Sequence, residues 1–153
     1  MAIVDTHAHL DAESPGLSGM WLSPRDEEDS GFLRLADVMN LRLRAEVVTL
    51  SGCETALGKK TVSEGYQGLV RAFLFAGAEN VVASAWRVDD AASADVLSGL
   101  YRSLREGRSS AAVVVREVKR KYLERVPEST PEKAHPYYWG AWMLWGTGVG
   151  WSF

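Results

Sequence analysis

Short apolar runs along the chain predict the strands of a buried sheet. Three of them are rich in β-branched or small apolar residues and end in polar or turn residues, as buried strands do. They are Ala2-Ile3-Val4, Glu46-Val47-Val48-Thr49-Leu50 and Val81-Val82-Ala83-Ser84-Ala85-Trp86. An aromatic and apolar run over 137–145 predicts a last strand, and the run 20–22 predicts a small hairpin strand inside a loop rich in Gly and Pro.

Between these runs the apolar residues recur at helical spacing. The pattern predicts helices over 65–76, 91–105 and 110–123, and a short helix over 33–41. Gly77 and Gly107 follow two of these segments, where glycine commonly ends a helix. Strands that alternate with helices indicate a three-layer α/β domain with a mostly parallel sheet. In such sheets ligands bind at the carboxyl ends of the strands.

Length and composition narrow the class of protein. The chain has 153 residues, of which 46% are hydrophobic and 24% are charged, so we expect one globular domain over 1–153. It has neither an apolar run of about 18 residues nor the pattern of a signal peptide, which predicts a cytoplasmic protein without a membrane span. Seventeen Lys and Arg against twenty Asp and Glu, with no basic block, argue against a nucleic-acid partner.

The candidate chemistry lies at two predicted strand ends. His7 follows the first strand, and Cys53, the only cysteine, follows the second. A neighbouring imidazolium lowers the pKa of a thiol, and the thiolate is the attacking form, so such a pair can act as nucleophile and base. A single cysteine excludes an internal disulfide and a Cys-rich zinc site. The alternative interpretation of Cys53 is a small buried apolar residue.

Several longer stretches carry a resemblance to a known family. They are Asp5-Thr6-His7-Ala8, Glu13-Ser14-Pro15, Leu17-Ser18-Gly19, the stretch 47–58 around Ser51-Gly52-Cys53-Glu54-Thr55, the stretches 64–73 and 77–90, and His135-Pro136-Tyr137-Tyr138-Trp139-Gly140-Ala141-Trp142. Together they resemble the CHAT domain, a caspase-like cysteine peptidase family related to caspases and separase. The resemblance covers nearly the whole chain.

The resemblance implies a peptidase with a Cys–His dyad that acts on a protein or peptide substrate and needs no cofactor. His7 and Cys53 match the dyad positions and stand 46 residues apart, near the spacing of roughly 50 in caspases. Cys53 would attack the scissile carbonyl, and His7 would act as acid and base. The backbone N–H groups of Ala8 and Cys53 would hold the oxyanion.

The resemblance also suggests a specificity pocket. Members similar to separase favour a basic residue before the cut and read it with acidic side chains, for which Asp89 and Asp90 are the candidates. A caspase-type preference for Asp would need an arginine there instead, and Arg87 is close in sequence.

Two features depart from the family pattern. Ala8 stands where the family usually has Gly after the dyad histidine. The complete fold has two strands before the histidine-bearing one, so we expect a fold that is incomplete at the N-terminus. Its first strand would then be an exposed edge, covered by a regulatory partner or a dimer mate. By resemblance, such domains commonly follow helical repeats or ATPase modules.

Two other classes of function remain as alternatives. One is an inactive caspase-like interaction module, which the missing strands and Ala8 favour. The other is a metal-dependent amidohydrolase, because His7 and His9 form a strand-end His-x-His pattern and His135 offers a third imidazole. The barrel that completes such metal sites runs to about 250 residues, far more than this chain.

Overall fold

The computed structural model describes residues 2–5, 8, 9, 11, 14–24, 26, 30–51, 62–86, 88–107 and 109–148. The strands are β1 (Ala2–Asp5), β2 (Ala8–His9), β3 (Gly19–Trp21), β4 (Phe32–Arg34), β5 (Ala45–Ser51), β6 (Ala78–Ser84) and β7 (Trp142–Gly146). The α-helices are α1 (Leu35–Met39), α2 (Val62–Phe75), α3 (Asp90–Glu106), α4 (Ala111–Arg125) and α5 (Pro136–Trp139), with 3₁₀ turns at Pro15–Leu17 and Pro131–Ala134. The chain is therefore an α/β protein, as predicted.

Among the described residues, the main sheet has four strands in the order β1-β5-β6-β7. β5 pairs in parallel with β1 on one side and with β6 on the other, whereas β7 runs antiparallel to β6. The sequence predicted the parallel strands because helical segments separate them, which is how parallel neighbours are connected. The carboxyl ends of β1, β5 and β6 consequently meet at one edge of the sheet.

Helices cover both faces of this sheet. Successive residues of a strand point to opposite faces, and the two core clusters divide accordingly. Val47 and Val82 pack with the buried residues of α3 and α4, which include Leu100 and Val118. The neighbouring residues on the same strands, such as Val48, pack instead with α1 and α2. The apolar faces of the helices and the two faces of the sheet are thereby removed from water.

A second, smaller sheet follows β1 in the chain. β3 lies between β2 and β4 and pairs antiparallel with both. The hairpin strand predicted over 20–22 is confirmed as β3, one residue earlier than expected. Trp21 stacks against Phe32 across this sheet, with ring centroids 4.7 Å apart. The prediction of a helix over 33–41 is wrong for its first residues, which form β4, and a helix begins only at Leu35.

Local signals fix the ends of the longer helices. Gly107 has the left-handed φ of 63° and caps α3, and Gly77 follows α2 with a φ of 107°. Both glycines end their helices as predicted, because glycine adopts positive φ without strain. At the start of α4 the Ser110 hydroxyl accepts a hydrogen bond from the Val113 N–H.

The prediction of one strand over 137–145 is wrong in its first half. Residues 136–139 form the short helix α5, and only 142–146 form a strand. Pro136 occupies the first helical turn, where its fixed φ is favourable and its missing N–H costs nothing. Aromatic residues favour strands on average, but this local signal outweighs that preference. None of the helices formed by the described residues is long and apolar enough to cross a membrane.

Candidate active site

The candidate site lies at the edge where three parallel strands end. The last residues of β1 and β5, Asp5 and Ser51, are direct partners in the parallel register. His7 and Cys53 themselves lie outside the described residues. Each of them follows its paired strand end by two positions in the sequence. Because neighbouring strands lie about 4.8 Å apart, the ends of β1 and β5 lie side by side at this edge.

Ala8, whose N–H was predicted to contribute to the oxyanion site, belongs to β2. Its Cα partner in the register is Met20 of β3, and His9 is opposite Gly19. This pairing ties the backbone that directly follows His7 in sequence to the small sheet. The other predicted oxyanion donor, the N–H of Cys53, lies outside the described residues.

Asp89 and Asp90, the predicted specificity residues, lie between β6 and α3. Both side chains are exposed. Since β6 is parallel to β5, its carboxyl end and the residues after it belong to the same edge of the sheet. Asp89 is also the N-cap of α3, where its Oδ1 accepts a hydrogen bond from the Ala92 N–H at 3.1 Å. A carboxylate has two oxygens, so Oδ2 of Asp89 is not used by this cap.

Two tyrosines line the same depression as these carboxylates. Tyr137 and Tyr138 of α5 line a depression of ≈ 350 Å³ together with Val88, Asp89 and Asp90. The indole Nε1 of Trp86 donates a hydrogen bond to the Tyr137 carbonyl oxygen at 3.0 Å, which ties α5 to the segment after β6.

Sequence reasoning missed Tyr137 and Tyr138 because it placed them in a strand. His135-Pro136 is the signal that could have found this helix. His135 caps α5, and its Nδ1 accepts a hydrogen bond from the Tyr137 N–H at 3.2 Å. A residue with a side-chain acceptor followed by proline is a common start of a helix.

The imidazoles considered for a metal site are separately engaged where they can be described. His9 is exposed, and its ring lies edge-on to Phe32 with centroids 6.2 Å apart. His135 is exposed and caps α5. Within the described part of the chain, no three His, Cys, Asp or Glu side chains are grouped closely enough to hold a metal ion. His7 lies outside that part.

A buried phenol lies beside the start of α3. Tyr122 of α4 lines the surface next to Asp89. Burial of the ring raises the pKa of Tyr122, and the carboxylates of Asp95 and Asp89 raise it further because they oppose a phenolate. The Tyr122 hydroxyl therefore stays protonated at neutral pH and remains a hydrogen-bond donor.

The sequence of this chain is similar to a protein family and to two longer proteins. The sequence matches the CHAT domain family over residues 4–147. It is also 35% identical over 118 residues to the tetratricopeptide repeat protein 28 of Mus musculus and to that of Homo sapiens. Each alignment covers 77% of this chain but 4% of the relative, so the chain spans a small part of the length of these proteins. Because the family match extends over more than nine-tenths of its residues, this chain belongs to the CHAT domain family.

Proposed function

We propose that this chain is a cysteine peptidase domain that cleaves peptide bonds with Cys53 as nucleophile and His7 as acid and base. One observation carries the proposal. The strands that precede the two residues are adjacent and parallel, and they end at partnered positions, Asp5 and Ser51. The equal offset of the dyad residues from this pair supports a placement within reach of each other. Helices on both faces of the sheet likewise support the three-layer arrangement of caspase-like proteins.

The reaction proceeds through a thioester. The Cys53 thiolate attacks the scissile carbonyl carbon, and the carbonyl π electrons move onto oxygen to form a tetrahedral oxyanion. When this collapses, the C–N bond breaks and the amine leaves with a proton from the His7 imidazolium. The now neutral His7 takes a proton from water, the hydroxide attacks the thioester, and Cys53 leaves as a thiolate. One peptide bond and one water are consumed, and both residues return to their initial state.

The backbone of β2 supports Ala8 as an oxyanion donor. The N–H and C=O groups of an antiparallel strand alternate between its two sides. Since the Ser18 carbonyl accepts from Leu35 N–H at 2.8 Å, Ser18 and Met20 direct their groups towards β4. Ala8 opposes Met20, so this alternation directs the Ala8 N–H away from β3. The pairing within the small sheet therefore does not use the donor that the oxyanion needs.

We assign the basic specificity to the depression between Asp89, Asp90, Tyr137 and Tyr138. An Arg or Lys side chain of the substrate would place its charge between the two exposed carboxylates, and the tyrosine rings would pack along its aliphatic part. Asp90 and the Oδ2 atom of Asp89 supply the acceptors, because the α3 cap uses only Oδ1 of Asp89. A guanidinium can donate two parallel hydrogen bonds to such carboxylate oxygens.

The test is covalent labelling by electrophilic peptides that carry Arg, Lys, Asp or Leu at the first position, followed by intact mass. We expect rapid labelling by the Arg and Lys peptides, lost in Cys53→Ala. Without the imidazole the thiolate is no longer stabilised, so labelling of His7→Ala falls to the rate of a free thiol. Equal labelling of wild type and His7→Ala would refute the dyad.

A double variant of Asp89 and Asp90 tests the specificity pocket without changing the proposed dyad. Asp89→Asn keeps a side-chain oxygen for the α3 cap, and Asp90→Asn removes the neighbouring charge. In this double variant we expect labelling by the Arg peptide to fall about tenfold or more and labelling by the Leu peptide to stay unchanged. Preference of the wild type for the Asp peptide would contradict an acidic pocket. Asp95→Asn, on the outer side of α3, is the control.

The second candidate function is an inactive interaction module of the same fold. The name of the similar proteins from mouse and human states a repeat and no peptidase activity. Ala8 also places a methyl group where the family pattern has none. Absence of labelling beyond that of an unstructured thiol, in a protein that unfolds cooperatively, would establish this function instead.

We further propose that a partner or a second copy pairs with β1. This strand is the end of the four-strand sheet, and within the described residues only β5 pairs with it. An unpaired strand edge presents free backbone donors and acceptors to other chains. The isolated chain is therefore expected to dimerise or aggregate with concentration. A monomer by light scattering at high concentration, with a well-dispersed NMR spectrum, would contradict this.

A further inference from the structure

A groove runs along the outer side of α3 and α4. The two helices approach closely where Gly99 of α3 meets Val118 of α4, since a Cβ on Gly99 would lie 3.3 Å from Val118 Cγ1. Two adjoining depressions of ≈ 120 and ≈ 240 Å³ lie along this contact and share Asp95, Tyr122 and Arg125. Tyr122 and Val118 are buried and form an apolar floor.

The first depression is bordered by an excess of positive charge. Arg102, Lys121 and Arg125 line it with a single carboxylate, Asp95, although the chain as a whole has a net charge of −3. All three cations are exposed. Ser98 and Ser103 line the same depression and add hydroxyl groups.

The cations elsewhere on α4 are arranged differently. On the same helix, Arg116 pairs with Glu117 at 3.0 Å, and Arg120 pairs with Glu117 at 2.8 Å and with Glu124. In contrast, no carboxylate of the described residues comes within 4.0 Å of the basic groups of Arg102, Lys121 or Arg125. Lys121 and Arg125 are also four positions apart on one helix face, where like charges repel. Within the part of the chain that the structure describes, the three cations of the groove therefore have no ion-pair partner.

We propose that this groove binds a short acidic peptide segment of a partner protein. Charge complementarity identifies the occupant, because Glu and Asp side chains would supply the counter-ions that Arg102, Lys121 and Arg125 lack. Ser98, Ser103 and the protonated Tyr122 hydroxyl offer hydrogen-bond donors between them.

The shape of the groove favours a peptide over a small anion. The second depression adjoins the first at Asp95, Tyr122 and Arg125, and it is also lined by Val126, Pro127, Lys133 and the carboxylate of Asp89. Cations outnumber carboxylates three to one in the first depression and are balanced by Asp89 and Asp95 in the second, so the groove suits an extended segment whose acidic residues lie at one end. Asp89 lines both this groove and the proposed substrate pocket, so a bound segment would lie beside the candidate active site.

The experiment measures binding without turnover. The probe is a fluorescein-labelled ten-residue peptide with four consecutive Glu and Asp residues at one end and uncharged residues in the rest. Its fluorescence anisotropy is titrated with the 153-residue chain carrying Cys53→Ala. The test variant adds Arg102→Gln, Lys121→Gln and Arg125→Gln. The matched control adds Arg42→Gln, Arg116→Gln and Arg120→Gln, which removes the same total charge from exposed positions outside the groove. Because Cys53 is absent in all proteins, the result does not depend on peptidase activity.

We expect the test variant to bind about thirtyfold more weakly, because it cannot form three ion pairs with the peptide, and the control variant less than about threefold more weakly. A peptide with Gln and Asn in place of Glu and Asp should not bind. The reverse substitution Arg102→Glu, Lys121→Glu and Arg125→Glu should instead capture a lysine-rich peptide, which also shows that the altered groove is folded.

Four results would overturn the proposal. The first is absence of binding to the parent protein at millimolar concentration, and the second is equal weakening of binding in the test and control variants. The third is displacement of the peptide by equimolar inorganic phosphate, which would indicate a site for small anions. The fourth is a dimer in light scattering that only the test variant abolishes, which would make a second copy the occupant.

Discussion

Asn80 is expected to hold together the sheet on which the candidate site is built. It lies in the middle of the sheet on β6, opposite Val47 of β5 and Gly146 of β7, and its side chain is fully buried. Its Nδ2 donates to the Glu46 carbonyl oxygen at 3.1 Å, and its Oδ1 accepts from the Gly148 N–H at 2.9 Å. One side chain therefore joins β5 to the segment that follows β7.

The structure gives a magnitude for Asn80→Ala. The substitution leaves one backbone acceptor and one backbone donor without these partners, and each unpaired buried group costs about 1–3 kcal/mol. Both bonds are only partly buried, so water replaces some of the loss and the lower half of the range applies to each. We expect the free energy of unfolding to fall by about 2–4 kcal/mol, a large share of the roughly 5–15 kcal/mol typical of a domain.

The assay is urea unfolding followed by tryptophan fluorescence and circular dichroism. With a slope of about 2 kcal/mol per molar urea, the midpoint should fall by about 1–2 M. Asn40→Ala is the matched control, because Asn40 Nδ2 also donates to a carbonyl oxygen, that of Ala36 at 3.0 Å, but in an exposed position. Its cost should stay below about 0.5 kcal/mol. If the midpoint of Asn80→Ala is no lower than that of the control, the reasoning about buried backbone partners is refuted.

Three further predictions concern stability. Leu100 is a core residue that is 1% exposed, so Leu100→Ala should lower the free energy of unfolding, measured in urea, by about 2–5 kcal/mol. A loss below about 1 kcal/mol would contradict its place in the core. Gly77→Ala should lower the melting temperature more than Gly107→Ala. Both glycines have positive φ, but only at Gly77 would the new Cβ clash with another atom, the Leu43 carbonyl oxygen. Equal losses of melting temperature in the two variants would contradict this. Burial lowers the pKa of Lys119 below 10.5, so the Lys119 ammonium holds its proton less tightly in the folded protein than in the unfolded chain. The free-energy cost of burying this charge therefore destabilises the folded state at pH 7, and it is relieved as pH rises towards 10.5. Lys119→Met should thus melt higher than wild type at pH 7 by a margin that shrinks by pH 10 in scanning fluorimetry, and a constant margin would contradict the role of the charge.

Much of the fold could be predicted because its signals are local. β5 is a run of β-branched and apolar residues, and α3 has a capping residue before it and a glycine after it. Such signals depend on interactions between residues a few positions apart, which the sequence displays directly. The segment after His135 was harder, because its aromatic residues suit a strand while Pro136 starts a helix.

For the candidate site, too, some features could be predicted from the sequence and others could not. The sequence by itself predicted which residues would carry the chemistry, His7 and Cys53, through the motifs around them, and it predicted that both follow strands. Only the tertiary structure decided that these strands are adjacent and end at partnered residues. The dyad and its oxyanion donors remain predictions.

Pairings between distant segments belong to the tertiary structure alone. No short motif connects the parts of the chain that meet in these contacts. β7 pairs antiparallel with β6, Tyr137 and Tyr138 line a depression with Asp89, and Arg102 lines a depression with Arg125. Each of these contacts requires closure of a long loop, whose entropy is offset only when whole helices and strands pack together. The sequence therefore predicted most of the elements and the candidate reactive residues, whereas packing of those elements decided which charges share a pocket and which share a groove.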